Sequence, residues 1–384
     1  MMEIFEYLKE KKKIYDAILE FLESESDAGL HFQNLIEILE SQNIRDNKKD
    51  FKLLIQIINR ISEGHFQTTS FIQRVEHILL YLRDDILQNL SNNQIFNIFK
   101  GNKRLLLFLF ENQMLKHNKI ITFYIMKNDN YLYYLIPEMK DILDDRYEGV
   151  LNELHRYRRG SENNYEEKRR IGQNEELGAE LIRKDKLEEF INFLKEYGIP
   201  LKEYDLPCSP FDTNYLMRKR KQTSLLEYAA FFGSLRTFKY LKENKLPLTS
   251  SLWIYGVHSK SIAMIRLLEE YRVPFDDKCL EEAIRCHHND VARYILSYLV
   301  DRKVVLANIK NNFMENVFSY AFHYHNFEFI PTKFEDKFAF YYFCYYGYFQ
   351  LVEIYTRIKK VDLNSKIHVT FKIKNKEETI EISK

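Results

Sequence analysis

Glycine and proline are scarce, with 11 Gly and 7 Pro in a chain of 384 residues. Turn punctuation is therefore thin, and long helices are favoured. The shortage of glycine also argues against a phosphate-cradling nucleotide loop, which needs backbone freedom. Cysteine is sparse. Cys208, Cys279, Cys286 and Cys344 form no CxxC pair, a pattern that reads as reduced thiols with buried packing roles in an intracellular compartment. Neither sign of charge is in excess: 57 basic side chains face 56 acidic ones, for a net charge of +1. That balance argues against nucleic acid as a partner, because its binders usually carry a basic excess or stripe.

Long apolar runs are also missing. LLLFLF (Leu105–Phe110) is far too short to span a bilayer. The opening MMEIFEYLKEKKK carries charge throughout and lacks the apolar core of a secretory signal. The expectation is an intracellular protein without a membrane span, cytoplasmic or alternatively nuclear. No GxSxG, Gly-rich phosphate loop, HExxH or set of kinase motifs occurs, so no enzymatic activity and no cofactor are expected.

What is abundant is aromatic: 29 Phe and 27 Tyr beside a single Trp. Apolar residues make up 45% of the chain, enough for a sizeable core, and the length allows two or three domains or one long repeat array. The array is favoured by repetition. SLLEYAAFFGSLRTFKYLKENKLPL (Ser224–Leu248) is followed by SLWIYGVHSKSIAMIRLLEEYRVPF (Ser251–Phe275), 27 residues out of register. Ser224 matches Ser251, Tyr228 matches Tyr255 and Pro247 matches Pro274. Leu235, Phe238 and Leu241 repeat as Ile262, Ile265 and Leu268, one stripe of a helix in each copy. Small residues recur in the first half, Ala229 and Ala230 and then Gly256, where a neighbouring helix can approach closely. Each unit reads as helix, tight turn, helix and a Pro-containing loop. One such pair cannot bury its apolar face alone, but a stack can.

Further copies follow the pattern. FLKEYGIPL (Phe193–Leu201) matches YLKENKLPL (Tyr240–Leu248). KCLEEAIRCHHNDVARYIL has Ala283 in the small position, with about two extra residues expected at its turn. VFSYAFHYHNFEFIP centres on Ala321, and FAFYYFCYYGYFQLVEIYTRIKKVDLN has Cys344 as the small residue and Gly347 at the turn. In the N-terminal half, Gly101 marks a fainter turn, and amphipathic helices upstream of it are expected to cap the first exposed face of the stack.

SLLEYAAFFG resembles the ankyrin repeat, with Ser224, Leu226, Ala229 and Gly233 at the Thr, Leu, Ala and turn-Gly positions of its pattern. Leu225 and Glu227 depart from the Pro and His of that pattern. Residues 45–365 are similar to a large protist (trichomonad-type) family that joins a helical domain of unknown function to degenerate ankyrin repeats. The resemblance implies an all-α, ankyrin-like helical-repeat solenoid with an N-terminal helical cap region. The expected divisions are 1–170 (helical region), 171–365 (repeats) and 366–384 (tail). In that tail Ile367, Val369, Phe371, Ile373, Ile380 and Ile382 alternate with polar residues, predicting a small β-hairpin turning near Asn375–Glu377.

Chemistry-bearing clusters are few. Cys286, His287 and His288, with Cys279 seven residues earlier, suggest zinc, but structural zinc usually takes two close ligand pairs, and the second is absent. The sequence therefore predicts no metal, with the thiols packed between helices and the histidines at the turn. His323 and His325 are two apart and do not share a helix face. Lys9–Lys13 reads as a charged helix face. The expected function is a non-enzymatic scaffold for a protein partner. Its contact is placed on the long loop Lys202–Thr223, through Phe211, Tyr215, Arg218, Lys219, Arg220 and Lys221. The alternative is a nucleic-acid-associated or nuclear adaptor using Arg218–Lys221.

Overall fold

Apolar residues spaced three and four apart carry the backbone into helix after helix. The structure, a computed structural model, describes all residues except 1, 66–67, 158–163, 219–221, 302–309, 331–335, 360–366, 374–375 and 383–384. The described residues are predominantly helical, the all-α class expected. The order begins α1 (Met2–Glu23), α2 (Ala28–Ser41), α3 (Lys48–Gly64), α4 (Thr69–Tyr81), α5 (Arg83–Asn89), α6 (Asn92–Phe99), α7 (Lys103–Glu111) and α8 (Lys119–Met126). It continues with α9 (Asp129–Tyr134), α10 (Lys140–Leu143), α11 (Tyr147–Tyr157), α12 (Tyr165–Ile171), α13 (Leu177–Arg183), α14 (Leu187–Glu196), β1 (Leu206–Pro207), α15 (Tyr215–Arg218) and β2 (Gln222–Thr223). Then come α16 (Leu225–Phe232), α17 (Leu235–Glu243), α18 (Ser251–His258), α19 (Ile262–Glu270), α20 (Lys278–Arg285) and α21 (Asn289–Asp301). Last are α22 (Lys310–Tyr324), α23 (Asp336–Tyr345), α24 (Phe349–Lys359), β3 (Ile367–Ile373) and β4 (Lys376–Ile382).

The chain divides into two compact units, one of Met1–Ile57 with Val305–Lys384 and the other of Ile58–Val304. These limits differ from the divisions expected at 170 and 365. In the first unit α1 packs on α2 and on α24. Its buried side chains Ile4, Leu8, Ile14, Ile18 and Phe21 form the stripe that a 3.6-residue period dictates. Polar bonds fix its register. Lys11 pairs with Asp50 at 3.0 Å, Tyr15 Oη donates to Asn326 Oδ1 at 3.0 Å, and Lys12 pairs with Glu328 at 2.8 Å. One expectation is corrected here. Lys11, read as part of a charged face, is 3% exposed. β3 and β4 pair antiparallel, with Ile367 opposite Ile382 and Ile373 opposite Lys376. The hairpin forms as expected, but Lys376 and Glu377, expected at its turn, already pair in β4, and residues 374–375 lie outside the described residues.

The second unit contains the clearest repetition. Four helix pairs follow one another: α13–α14, α16–α17, α18–α19 and α20–α21. Their first helices stack side by side, α13 on α16, α16 on α18 and α18 on α20. Every turn inside a pair holds a residue at positive φ: Asp185, Gly233, Lys260 and His287. In three of them the next N–H closes a Schellman bond, from Lys186 to Leu181 O, Ser234 to Ala229 O and His288 to Ala283 O, at 2.9, 2.9 and 3.2 Å. In the α18–α19 turn Ser261 N instead donates to Ser259 Oγ at 3.1 Å. The turn after α20 has the same spacing as the turn after α18, so the two extra residues expected there are absent.

Bonds between neighbouring pairs repeat as well. Ser234 Oγ donates to Ile182 O at 2.6 Å, and His288 Nδ1, at the equivalent place, donates to Val257 O at 2.8 Å. Small residues sit where the helices approach. A Cβ on Gly256 would stand 3.0 Å from Leu268 Cδ1, and one on Gly64 would stand 2.7 Å from Arg285 O.

Candidate functional site

The repeat pattern breaks at one buried place. Glu282 occupies the position held by Tyr228 and Tyr255 in the two preceding copies, and His258 the position of Phe231. Because α18 and α20 stack, these departures meet. His258 ends α18, Glu282 lies in α20, and Cys286 follows Glu282 by one helical turn. His258 Nε2 lies 3.0 Å from Glu282 Oε1. Cys286 Sγ lies 3.7 Å from His258 Nε2 and 3.7 Å from Glu282 Oε1. The imidazole is 1% exposed and the Glu282 side chain 13%. Phe231 stacks on the His258 ring with centroids 4.8 Å apart, and the Tyr215 ring lies 5.8 Å away.

Burial governs the electrostatics. It pushes the Glu282 carboxyl up to about 6, against the pull of the Arg285 charge. It also pushes the Cys286 thiol up, with Glu282 adding to the effect. A buried thiol held in its neutral form is a poor nucleophile. The three side chains bring nitrogen, oxygen and sulfur donors together, all within 4.8 Å of one another, as a cation requires.

Beside this cluster His65 stacks on Phe71 and meets His288 edge-on, with ring centroids 4.7 Å apart in the latter pair. Burial, reinforced by His65, pushes the His288 pKa down. Neutral His288 donates from Nδ1 to Val257 O and so serves the junction between copies.

The residues expected to form a protruding contact are placed otherwise. Phe211 is 2% exposed and packs edge-on against Tyr165, and Tyr215 is 9% exposed beneath the Arg285 guanidinium. The Arg218 guanidinium donates to Gly101 O at 2.9 Å and to Tyr131 Oη at 3.1 Å. β1 and β2 pair and close the loop at its base, while Lys103 Nζ donates to Pro210 O. The loop therefore packs inward on α7, α9 and α12, because its aromatic side chains are worth more buried than exposed. Lys219, Arg220 and Lys221 lie outside the described residues.

Cys279 is buried away from the cluster formed by Cys286, as expected for a thiol packed between helices. His287 and His288 lie at the turn, also as expected, but both are buried. Sequence reading missed His258 and Glu282 because they come from two copies. The available signal was Glu282 where the two preceding copies have Tyr228 and Tyr255, and His258 where the copy before it has Phe231.

No helix among the described residues is long and apolar enough to cross a membrane. No protein-family model, curated protein or solved structure matches the chain.

Proposed function

We propose that the chain is a non-enzymatic scaffold for a protein partner, built on ankyrin-like repeats. The observation that carries this reading is the recurrence of the same turn bond in three of the four helix pairs and of the junction bond at two places, a device that extends a surface rather than enclosing a reaction centre. The ankyrin resemblance gains support from Glu227, which stands where that pattern has His. Its Oε2 accepts from Ser224 N at 3.3 Å and from Ser224 Oγ at 3.2 Å, forming a capping box. Its Oε1 accepts from Ser251 Oγ at 2.6 Å, at the matching start of the next copy. A carboxylate thus joins one helix start to the next in place of the imidazole.

The contact surface fits α8 better than the long loop. Ile120 and Phe123 are each 59% exposed and Met126 is 36% exposed, three apart along one side of the helix. Single exposed apolar residues are ordinary, whereas a contiguous stripe marks an interaction surface.

The test is affinity isolation with the full chain as bait, washed at low and at high salt, beside bait carrying Ile120→Ser and Phe123→Ser. The reading expects a discrete protein that survives both washes and is lost with the double variant. Recovery of nucleic acid alone, only at low salt, would overturn it.

A further inference from the structure

We propose that His258, Glu282 and Cys286 bind one zinc ion that clips α18 to α20. Their donor atoms form a triangle with sides of 3.0, 3.7 and 3.7 Å. Zinc held at its usual bond lengths of about 2.0–2.3 Å sets neighbouring ligand atoms roughly 3.3–3.6 Å apart in a tetrahedron. Each side of the triangle lies within a few tenths of an ångström of that range, so small side-chain shifts admit the ion.

The donor set also selects the metal. Imidazole, thiolate and carboxylate together suit zinc, whereas magnesium and calcium take oxygen ligands alone. Charge closes too: a thiolate and a carboxylate around a neutral imidazole balance a dication. On binding, the Cys286 thiol passes its proton to solvent, and so does Glu282 where it is protonated. The three side chains fill three of four positions. Glu282 keeps 13% of its side chain in contact with solvent, so water reaches the fourth.

The position of the cluster gives the ion a structural task. His258 closes the first helix of one copy, and Glu282 and Cys286 belong to the next. A bound zinc ties two successive copies together at the junction where Gly64 already approaches Arg285 O and Cys286 Cα. This inference rests on the cluster alone and is independent of the partner reading.

The experiment strips the full chain of metal with a chelator and titrates it with Co(II), then with Zn(II). The expected result is one equivalent of Co(II), bound with the charge-transfer absorption of a single thiolate and displaced by Zn(II). Cys286→Ser abolishes that absorption, and Cys279→Ser keeps it. X-ray absorption of the zinc-loaded wild-type chain needs no variant and should show one sulfur with nitrogen and oxygen neighbours. No retained metal, a zinc shell without sulfur, or an absorption that survives Cys286→Ser would overturn the proposal.

Discussion

Gly64 lies against the backbone of Arg285, so closely that a Cβ on it would stand 2.7 Å from Arg285 O and 3.0 Å from Cys286 Cα. Both neighbours are main chain and cannot rotate aside. Gly64→Ala should therefore cost about 1–3 kcal/mol through overpacking. Gly29 lies in α2 with nothing within 4 Å of its Cβ position. Gly29→Ala should be neutral or stabilising by up to ~1 kcal/mol. Urea denaturation of the two variants beside wild type measures the contrast, and equal effects would contradict the packing described.

Lys245 ends α17 at φ 63, in the left-handed region, with Leu246 N closing on Leu241 O at 3.3 Å. Its side chain is exposed, so the cost of the site lies in the backbone. Lys245→Gly should raise stability by roughly 1 kcal/mol, and Lys245→Val should lower it. Thermal unfolding of both variants checks the opposite signs.

Asp50 accepts from Lys11 at 3.0 Å and from Tyr7 Oη at 2.7 Å, with Lys11 4% and Asp50 13% exposed at the side chain. Removing one partner of so buried a pair leaves the other uncompensated, at a cost of about 3–5 kcal/mol. Lys11→Met and Asp50→Asn should each destabilise strongly, yet together cost at least ~1 kcal/mol less than their sum. A double-mutant cycle by urea denaturation gives that coupling, and strict additivity would show that the pair contributes nothing.

Burial pushes the Asp212 carboxyl up to about 6, with the Lys103 charge opposing the shift. The folded chain then holds this proton more tightly than the unfolded chain, whose carboxyl titrates near 3.8. Stability from this group is therefore lost as pH rises from 3.8 to about 6. Asp212→Asn removes that loss. Relative to wild type, the variant should gain in urea midpoint from pH 4 to pH 6.5 and change no further at higher pH. A constant difference across the range would contradict the assigned shift.

Sequence showed the helix pairs because their packing is local. Phe238 and Leu241 are buried in α17, and Ile265 and Leu268 in the same places in α19, as spacing alone requires. Gly233 and Gly347 were visible as turns, but Asp185, Lys260 and His287 take the same conformation without advertising it. What failed was long-range. The bond from Tyr15 to Asn326 spans 311 positions, and no periodicity in α1 names that partner. Phe211 looked like a contact residue because its loop is long and polar around it. Its actual neighbour, Tyr165, lies in α12, outside the loop, and no spacing in the sequence pairs the two. His258, Glu282 and Cys286 converge only once two copies are stacked.

The central claim is that the chain holds a protein partner through the apolar face of α8. It is tested most directly by titrating the isolated partner, by calorimetry, against wild type and against the Ile120→Ser, Phe123→Ser variant at two salt concentrations. The account predicts an affinity little changed by salt and at least about tenfold weaker with the variant, the loss expected when a hot spot is removed. An affinity that falls steeply with salt and ignores the variant would contradict it.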